Sequence, residues 1–398
     1  MMTDSYDVVV VGGGPAGCRL AEGTAKKGFS TLIIEEHPSV GSPVQCAGLV
    51  SPRTVRMVSP PGRVVLAEMA GADVFGPDIS FTIQAEDTRG MVIDRKAFDR
   101  HIGERALKAG AELELHTAVT DIGKGSVTVG GREISASIIV GADGASSIVR
   151  RSMDVPGPKY LFPSVQYDMP DWKGPADRVS VVVDQDIAPG FFGWAIPHGE
   201  GARIGSAVVP GSITAGDSVK LTVAKFKEVS YLGSEAATSI VSGVIPIGPL
   251  SKISSGTTLI VGDAAAQVKP ISGGGLFPGL TAADIAVTAI EGVLSGDAVL
   301  REYDRAWRKR FHGELSFGMK AREAFISMDN ANIDRLFRIF ARDEVSAVIS
   351  KHGDIDHPSR LSGPLVKTAP DIVGEVAKTY LGDALKSIRR KLSLGKKE

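Results

Sequence analysis

The chain opens on an apolar run, Tyr6 to Val11, of the kind that suits a strand buried on both faces of a parallel sheet. It runs into Gly12-Gly13-Gly14-Pro15-Ala16-Gly17, and helical spacing then continues to about Lys27, with Gly28 placed to end the helix. Residues 30–35 predict a second strand, so the first 35 residues read as one β-α-β unit. Ala97 to Ala109 has helical spacing, with Phe98, Ile102 and Ala106/Leu107 on one face. Strands are predicted at 112–116, 117–122, 126–129 and 132–137, with Gly130-Gly131 as a hairpin turn between the last two. Ser137 to Val140 reads as a further buried strand, ending in Gly141-Ala142-Asp143-Gly144. From about 156 to 210 the pattern becomes alternating, as in 178–184 and 202–209, which predicts an antiparallel sheet. Residues 214–232 look helical, 257–261 return to a buried strand before Gly262-Asp263, and the chain is mostly helical beyond about 279.

Length and composition narrow the picture. A chain of 398 residues predicts two or three domains. No repeat and no flexible linker separates them, so interleaving is expected: 1–155 with 245–295, then 156–244, then a helical region 296–398. Lys+Arg is 45 against 46 Asp+Glu, which argues against a nucleic-acid partner held by bulk charge. Gly is in excess, 47 residues or about 12% against a usual ~7%, and glycines in loops commonly let backbone approach a ligand. Two cysteines make no disulfide framework and suggest a reducing compartment. The N-terminus lacks the features of a signal peptide, and no apolar run reaches the ~18 residues of a spanning helix. A cytoplasmic protein is expected, with peripheral membrane attachment left open.

The first chemical motif is Gly12-x-Gly14-x-x-Gly17, containing Pro15 and Ala16, with Glu35 23 residues after Gly12 and Glu36 beside it. Strand, glycine turn, helix and acidic strand end together make a dinucleotide fingerprint. Gly12 permits the tight turn, Gly14 lets the pyrophosphate approach, and Gly17 lets helix and strand pack closely. The helix N-terminus offers unpaired N–H groups to the anion, and Glu35 would accept from the adenosine ribose. The motif alone does not separate FAD from NAD.

Two later segments do. Ile139-Val140-Gly141-Ala142-Asp143-Gly144, followed by Ser146, Arg150 and Arg151, resembles the Asp-Gly segment of flavoprotein hydroxylases and their relatives. Leu259-Ile260-Val261-Gly262-Asp263-Ala264-Ala265, with Pro270 and Gly273-Gly274-Gly275 after it, resembles their Gly-Asp segment. The resemblance implies FAD as cofactor, with Asp263 on the ribitol and the Gly273–Gly275 helix start facing flavin and pyrophosphate. Arg95, in Ile93-Asp94-Arg95-Lys96, matches a family position near the flavin; a solvated helix start is the other reading.

Gly41-Ser42-Pro43-Val44-Gln45-Cys46-Ala47-Gly48 resembles the cysteine-bearing loop of the geranylgeranyl reductases, and the likeness extends over roughly residues 5–310. It implies Cys46, Ala47 and Gly48 at the flavin, with Cys46 delivering a proton or positioning substrate. Cys18 lies inside the first helix and reads as core. The family's pocket motif, Tyr-x-Trp-x-Phe-Pro, is met here by Phe192-Gly193-Trp194-Ala195-Ile196-Pro197 after Phe191. Trp194 and Pro197 match; Phe192 and Ile196 replace the Tyr and Phe, so a hydroxyl is lost and the site stays apolar. His198 reads as a turn-surface residue.

The implied fold is α/β: a Rossmann-like FAD-binding domain interleaved with an antiparallel-sheet substrate domain and a C-terminal helical region. The implied activity is reduction of C=C bonds in isoprenoid chains, with a lipid as substrate and no metal. The electron donor is open between a ferredoxin-like protein and NAD(P)H, since only one fingerprint is present. Residues 371–393 have amphipathic helical spacing and a basic end (Lys386, Arg389, Arg390, Lys391, Lys396, Lys397), which suits either an anionic membrane or packing on the body. A flavin halogenase or hydroxylase is the competing enzyme class. Halogenases need a lysine early in the chain, and none lies between Lys27 and Lys96. An electron-transfer flavoprotein is the alternative outside substrate chemistry.

Overall fold

The computed structural model describes residues 5–234 and 236–376. The chain divides into two compact units, each made of three stretches of sequence.

The first unit takes residues 1–66, 93–162 and 243–316. Its parallel strands lie in the order Thr258–Ile260, Arg132–Gly141, Ser5–Val11, Thr31–Ile34, Glu112–Glu114. Val8, Val9 and Val10 in the central strand are fully buried, which explains an apolar run without alternation. Residues 132–137 and 137–140 are not two strands but one, Arg132–Gly141. Its first half pairs antiparallel with Ser126–Val129 and its second half pairs parallel with Ser5–Val11. The burial pattern changes from alternating to continuous midway, and no turn residue breaks the backbone there. The Ala97 helix begins earlier, at Arg95, because the Asp94 carboxylate accepts the Ala97 N–H at 3.0 Å as an N-cap.

Helix Pro15–Lys26 packs against helices Arg95–Lys108 and Leu276–Leu294. Glu22 ties them together although it is only 2% exposed. It accepts from Lys26 at 2.5 Å and from Arg105 at 2.7 Å, and Arg19 lies at 3.3 Å while pairing with Asp284 at 2.7 Å. Helix Leu276–Leu294 is long and apolar enough by composition to cross a membrane, contrary to the expectation from the uninterrupted runs. Half of that stretch is buried within the protein, and its acidic residues Asp284 and Glu291 pair with Arg19 and Lys27.

The second unit takes residues 67–92, 163–242 and 317 onward. Gly201–Ala207, Gly193–His198 and Arg178–Val182 are successive antiparallel neighbours. Gly71–Phe75 then joins in parallel with Arg178–Val182, and Ser80–Gln84 forms the edge. These last two strands are unassigned by the sequence pattern, and the sheet is mixed rather than purely antiparallel. Helix Ala215–Glu228 covers one face, where Ala195, Ile204, Met169, Phe75 and Phe226 form a core. The helix stops short of residue 232 because Ser230 adopts a left-handed φ of 61°. On the other face, Ala324, Met328, Ile333 and Phe337 pack on Val74, Phe81 and Val183. The basic C-terminal stretch from Lys386 lies outside the described residues.

Candidate flavin site and aromatic sheet face

The three glycines of the first motif do different work. Gly12 has φ +103°, and a Cβ there would lie 2.4 Å from the Ala142 carbonyl oxygen. A Cβ on Gly17 would lie 2.2 Å from the Gly12 oxygen. These two positions hold strand, helix and the 141–144 turn together. Around Gly14, by contrast, a Cβ would meet nothing within 4 Å. Gly14 is the N-cap of helix Pro15–Lys26 and supplies no side-chain cap, with Pro15 in the first turn. Five other helices are capped by Ser51, Asp94, Ser147, Thr214 and Asp329. Here the helix start has no side-chain cap and the space beside Gly14 is open, which fits an anionic pyrophosphate.

Glu35 is 8% exposed and already engaged. One oxygen accepts the Gly13 N–H at 2.6 Å; the other accepts the His37 N–H at 2.9 Å and lies 2.5 Å from His37 Nδ1. The oxygen facing Gly13 keeps acceptor capacity for a ribose hydroxyl. Glu36 is exposed.

The two aspartates that look alike in sequence are placed differently. Asp143 accepts from the Ser147 hydroxyl at 2.6 Å and from the Ile148 and Val149 N–H groups at 2.7 and 3.2 Å. Its carboxylate builds the turn, and Gly144 follows at φ +73°. Asp263 is solvent-accessible. The protein around it raises its pKa by desolvation, partly offset by Arg95. A Cβ on Gly275 would lie 3.0 Å from Asp263 Oδ1. Gly275 is the N-cap of helix Leu276–Leu294, again without a side-chain cap. Gly273 has φ +73°, and Gly274 lies against Lys269. The two glycine loops meet at Ala16, whose Cβ would be 3.1 Å from a Cβ on Gly262.

Two residues absent from the sequence reading shape this second loop. The Gly262 N–H donates to Gln267 Oε1 at 2.7 Å, Gln267 Nε2 donates to the Tyr303 hydroxyl at 2.7 Å, and Tyr303 donates to the Ile260 carbonyl at 3.0 Å. Both side chains are buried. The only signal in the sequence is a polar amide inside the apolar stretch Ala264–Val268.

Arg95 grips Asp99 with two hydrogen bonds, Nε to Oδ1 at 3.1 Å and Nη2 to Oδ2 at 2.8 Å. The same guanidinium interacts electrostatically with Cys46. Burial works against its charge, but Asp99 outweighs that and raises its pKa, so it stays protonated. The Cys46 sulfur also accepts the Gly48 N–H at 3.3 Å and is partly exposed, next to Ala47. Cys18 is fully buried, donates to the Gly13 carbonyl at 3.1 Å, and has its thiol pKa pushed up by burial. The structure therefore brings Cys46, Arg95, Asp99 and Asp263 into one electrostatic group inside the first unit.

The aromatic segment lies in the second unit. Phe191 is 1% exposed and stacks on Phe192 at 4.4 Å, and Phe192 meets the Trp194 ring edge-on at 6.1 Å. The Trp194 indole lies over Gly205, where a Cβ would come within 2.4 Å of the ring, and donates to Gln166 Oε1 at 3.1 Å. Strand alternation puts Trp194 and Ile196 on one face, with Phe192 leading into it, while Ala195 and Pro197 turn toward the opposite side. His198 Nε2 lies 3.1 Å from Asp168 Oδ1, a hydrogen bond that holds the Asp168 carboxyl below its usual range despite partial burial.

A cradle with uncapped helix starts, open space at Gly14 and an accessible carboxylate at Asp263 fits FAD, and residues 5–212 match the family model described as FAD binding domain. The protein is thus an FAD-binding flavoprotein. It is 31% identical to the digeranylgeranylglycerophospholipid reductase of Methanosarcina acetivorans, covering 84% of this chain and 88% of that protein. The Methanothrix thermoacetophila reductase of the same name is 30% identical over 85% of this chain and 92% of its own. A solved structure of a geranylgeranyl bacteriochlorophyll reductase-like protein from Thermoplasma acidophilum shares the fold, with a TM-score of 0.83 over 95% of this chain and all of that one, at 23% identity. The chain belongs to the family of FAD-binding proteins that includes the archaeal digeranylgeranylglycerophospholipid reductases.

Proposed function

We propose that the protein is an FAD-dependent reductase that saturates C=C bonds in the geranylgeranyl chains of archaeal membrane-lipid precursors. The observation that carries this reading is the Phe192–Trp194 face. Its partly exposed side chains are aromatic, and Gln166 beside them is already bonded to the indole, so it suits a long apolar chain bound by area and shape. The names of the relatives support the same substrate class.

An isolated alkene has no carbonyl to activate it, so hydride donation and protonation must be coordinated. When bound and reduced, FAD would supply the hydride. The protein's part is to hold the chain by apolar contact and to bring a proton to the second carbon. Cys46 carries that proton at Sγ. The Gly48 N–H fixes the sulfur, and Arg95, held by Asp99, adds a positive charge that acts on it. Asp263 and Gly273–Gly275 would hold the ribitol and flavin side of the cofactor, Gly12–Gly17 its pyrophosphate, and Glu35 its ribose. A lipid substrate suits a cytoplasmic enzyme that meets the membrane surface peripherally, with electrons arriving from a ferredoxin-like protein or NAD(P)H.

Mass spectrometry of ligands carried through purification tests this reading. An isoprenoid lipid bound alongside FAD is the expected result. A small polar aromatic compound in its place would overturn it.

A further inference from the structure

Arg322 is 3% exposed, an unusual position for a guanidinium, and lies in helix Arg301–Ser327. Its charged end sits 4.3 Å from the centroid of the Phe191 ring and 5.5 Å from that of Phe325. Nη1 donates to the Gly190 carbonyl at 2.7 Å. The Gly190 N–H donates to Gln185 Oε1 at 2.8 Å, and Gln185 Nε2 donates to the Phe325 carbonyl at 3.1 Å. Both backbone polar groups of Gly190 are therefore taken by side chains that connect to the same helix. Gly190 has φ +70°, and a Cβ there would lie 2.8 Å from Val209 Cβ, so the position favours glycine on both counts.

The geometry points to Arg322 and Gln185 as a buried clasp that positions the Phe191–Phe192 wall and so sets substrate affinity. Three flat groups follow one another: the Arg322 guanidinium, the Phe191 ring and the Phe192 ring, the last two 25° from parallel. Only Phe192 is partly exposed, so the place of the exposed ring follows from the buried cation behind it. An apolar side chain of similar volume would fill the same space without burying a charge, which points to position rather than stability as the reason for the arginine. A lysine offers neither the planar face nor the fork, so it would reproduce the hydrogen bond to Gly190 and lose the stack. Neither residue touches substrate in this account; both act through Phe191 and Gly190. The inference rests on the proposal that this face binds an isoprenoid chain.

The test compares Arg322→Met, Arg322→Lys, Gln185→Leu and Phe192→Ala in the full-length holoenzyme, using a geranylgeranyl glycerophospholipid in detergent. Arg89→Met is the control for a structural role: Arg89 is in the same unit and donates to the Ser350 and Gly353 carbonyls, remote in sequence from the wall. Arg322→Met should raise KM about tenfold while kcat stays within about twofold, the pattern of lost binding rather than lost chemistry. Arg322→Lys should fall between it and the wild type. Gln185→Leu should raise KM in the same direction, and Arg322→Met combined with Phe192→Ala should be no worse than the worse single change. Arg89→Met should lower the melting temperature and leave KM alone. If Arg322→Met does not fold, Arg322→Lys and Gln185→Leu decide. Raised KM in Phe192→Ala with wild-type KM in the clasp variants would overturn the clasp. Unchanged KM in Phe192→Ala would instead overturn the assignment of this face to the substrate.

Discussion

Arg95, pinned to Asp99 at 2.8 Å, interacts electrostatically with Cys46, coupling the cysteine loop to the helix that begins at Arg95. Replacing Cys46 by Ala should lower the rate of alkene reduction by about 10²–10⁴, the usual range for losing a positioned proton donor. The flavin spectrum and FAD content should stay at wild-type levels. Arg95→Met should reduce both activity and FAD retention, because Arg95 also faces Asp263. Wild-type turnover in Cys46→Ala would remove the cysteine from the chemistry.

Gly14 and Gly17 should respond in opposite ways to the same methyl group. Gly17→Ala puts a Cβ into backbone, where overpacking costs about 1–3 kcal/mol. The apoprotein should therefore melt earlier. Gly14→Ala finds open space, so the apoprotein should melt normally while FAD binds at least about tenfold more weakly. Differential scanning fluorimetry with and without FAD separates the two. Equal FAD affinity in Gly14→Ala and wild type would mean that the cofactor does not approach there.

Tyr303→Phe should destabilise the protein by about 1–3 kcal/mol, because it leaves the buried Gln267 amide without its acceptor. Since Gln267 also accepts the Gly262 N–H, FAD affinity should fall with it. Urea unfolding and flavin titration read the two effects. A Tyr303→Phe protein that unfolds at the wild-type midpoint would show that the relay carries no load.

Glu22 predicts a pH dependence. Burial pushes its pKa up, but hydrogen bonds from Lys26 and Arg105 outweigh that and hold it below the ordinary 4.5. A carboxyl depressed in the folded state stabilises fully above its unfolded pKa, and that stability is lost as pH falls through the folded value. Glu22→Gln should cost about 2 kcal/mol at pH 7, less than a fully buried pair because its cations are partly exposed. Below pH 4.5 the gap between variant and wild type should narrow. Parallel stability curves down to acid pH would contradict the assignment.

Much of the first unit was legible because its signals are local. The run Tyr6–Val11, the glycines that follow and the acidic end of the next strand lie within 35 residues, and each has one physical reading. The long strand Arg132–Gly141 was harder, since it changes from edge to core midway and the pattern changes with it. Gly71–Phe75 is short and holds a Gly and a buried Asp, so alternation alone does not mark it. Asp143 and Asp263 each follow a buried strand and a glycine, yet only contacts to Ser147 and Ile148 reveal that Asp143 is occupied with its own turn. Tyr303 and Arg322 act on loops 36 and 132 residues away, and no spacing rule connects such pairs before the chain has folded.

The most direct test of the central claim is an anaerobic single turnover. The purified holoenzyme is reduced chemically, mixed with a geranylgeranyl glycerophospholipid, and followed by flavin absorbance and lipid mass. Flavin should reoxidise without oxygen, matched by a gain of two hydrogens per bond reduced, and both signals should be lost in Cys46→Ala. Flavin that stays reduced beside an unchanged lipid, and reoxidises only when oxygen is admitted, would contradict the claim.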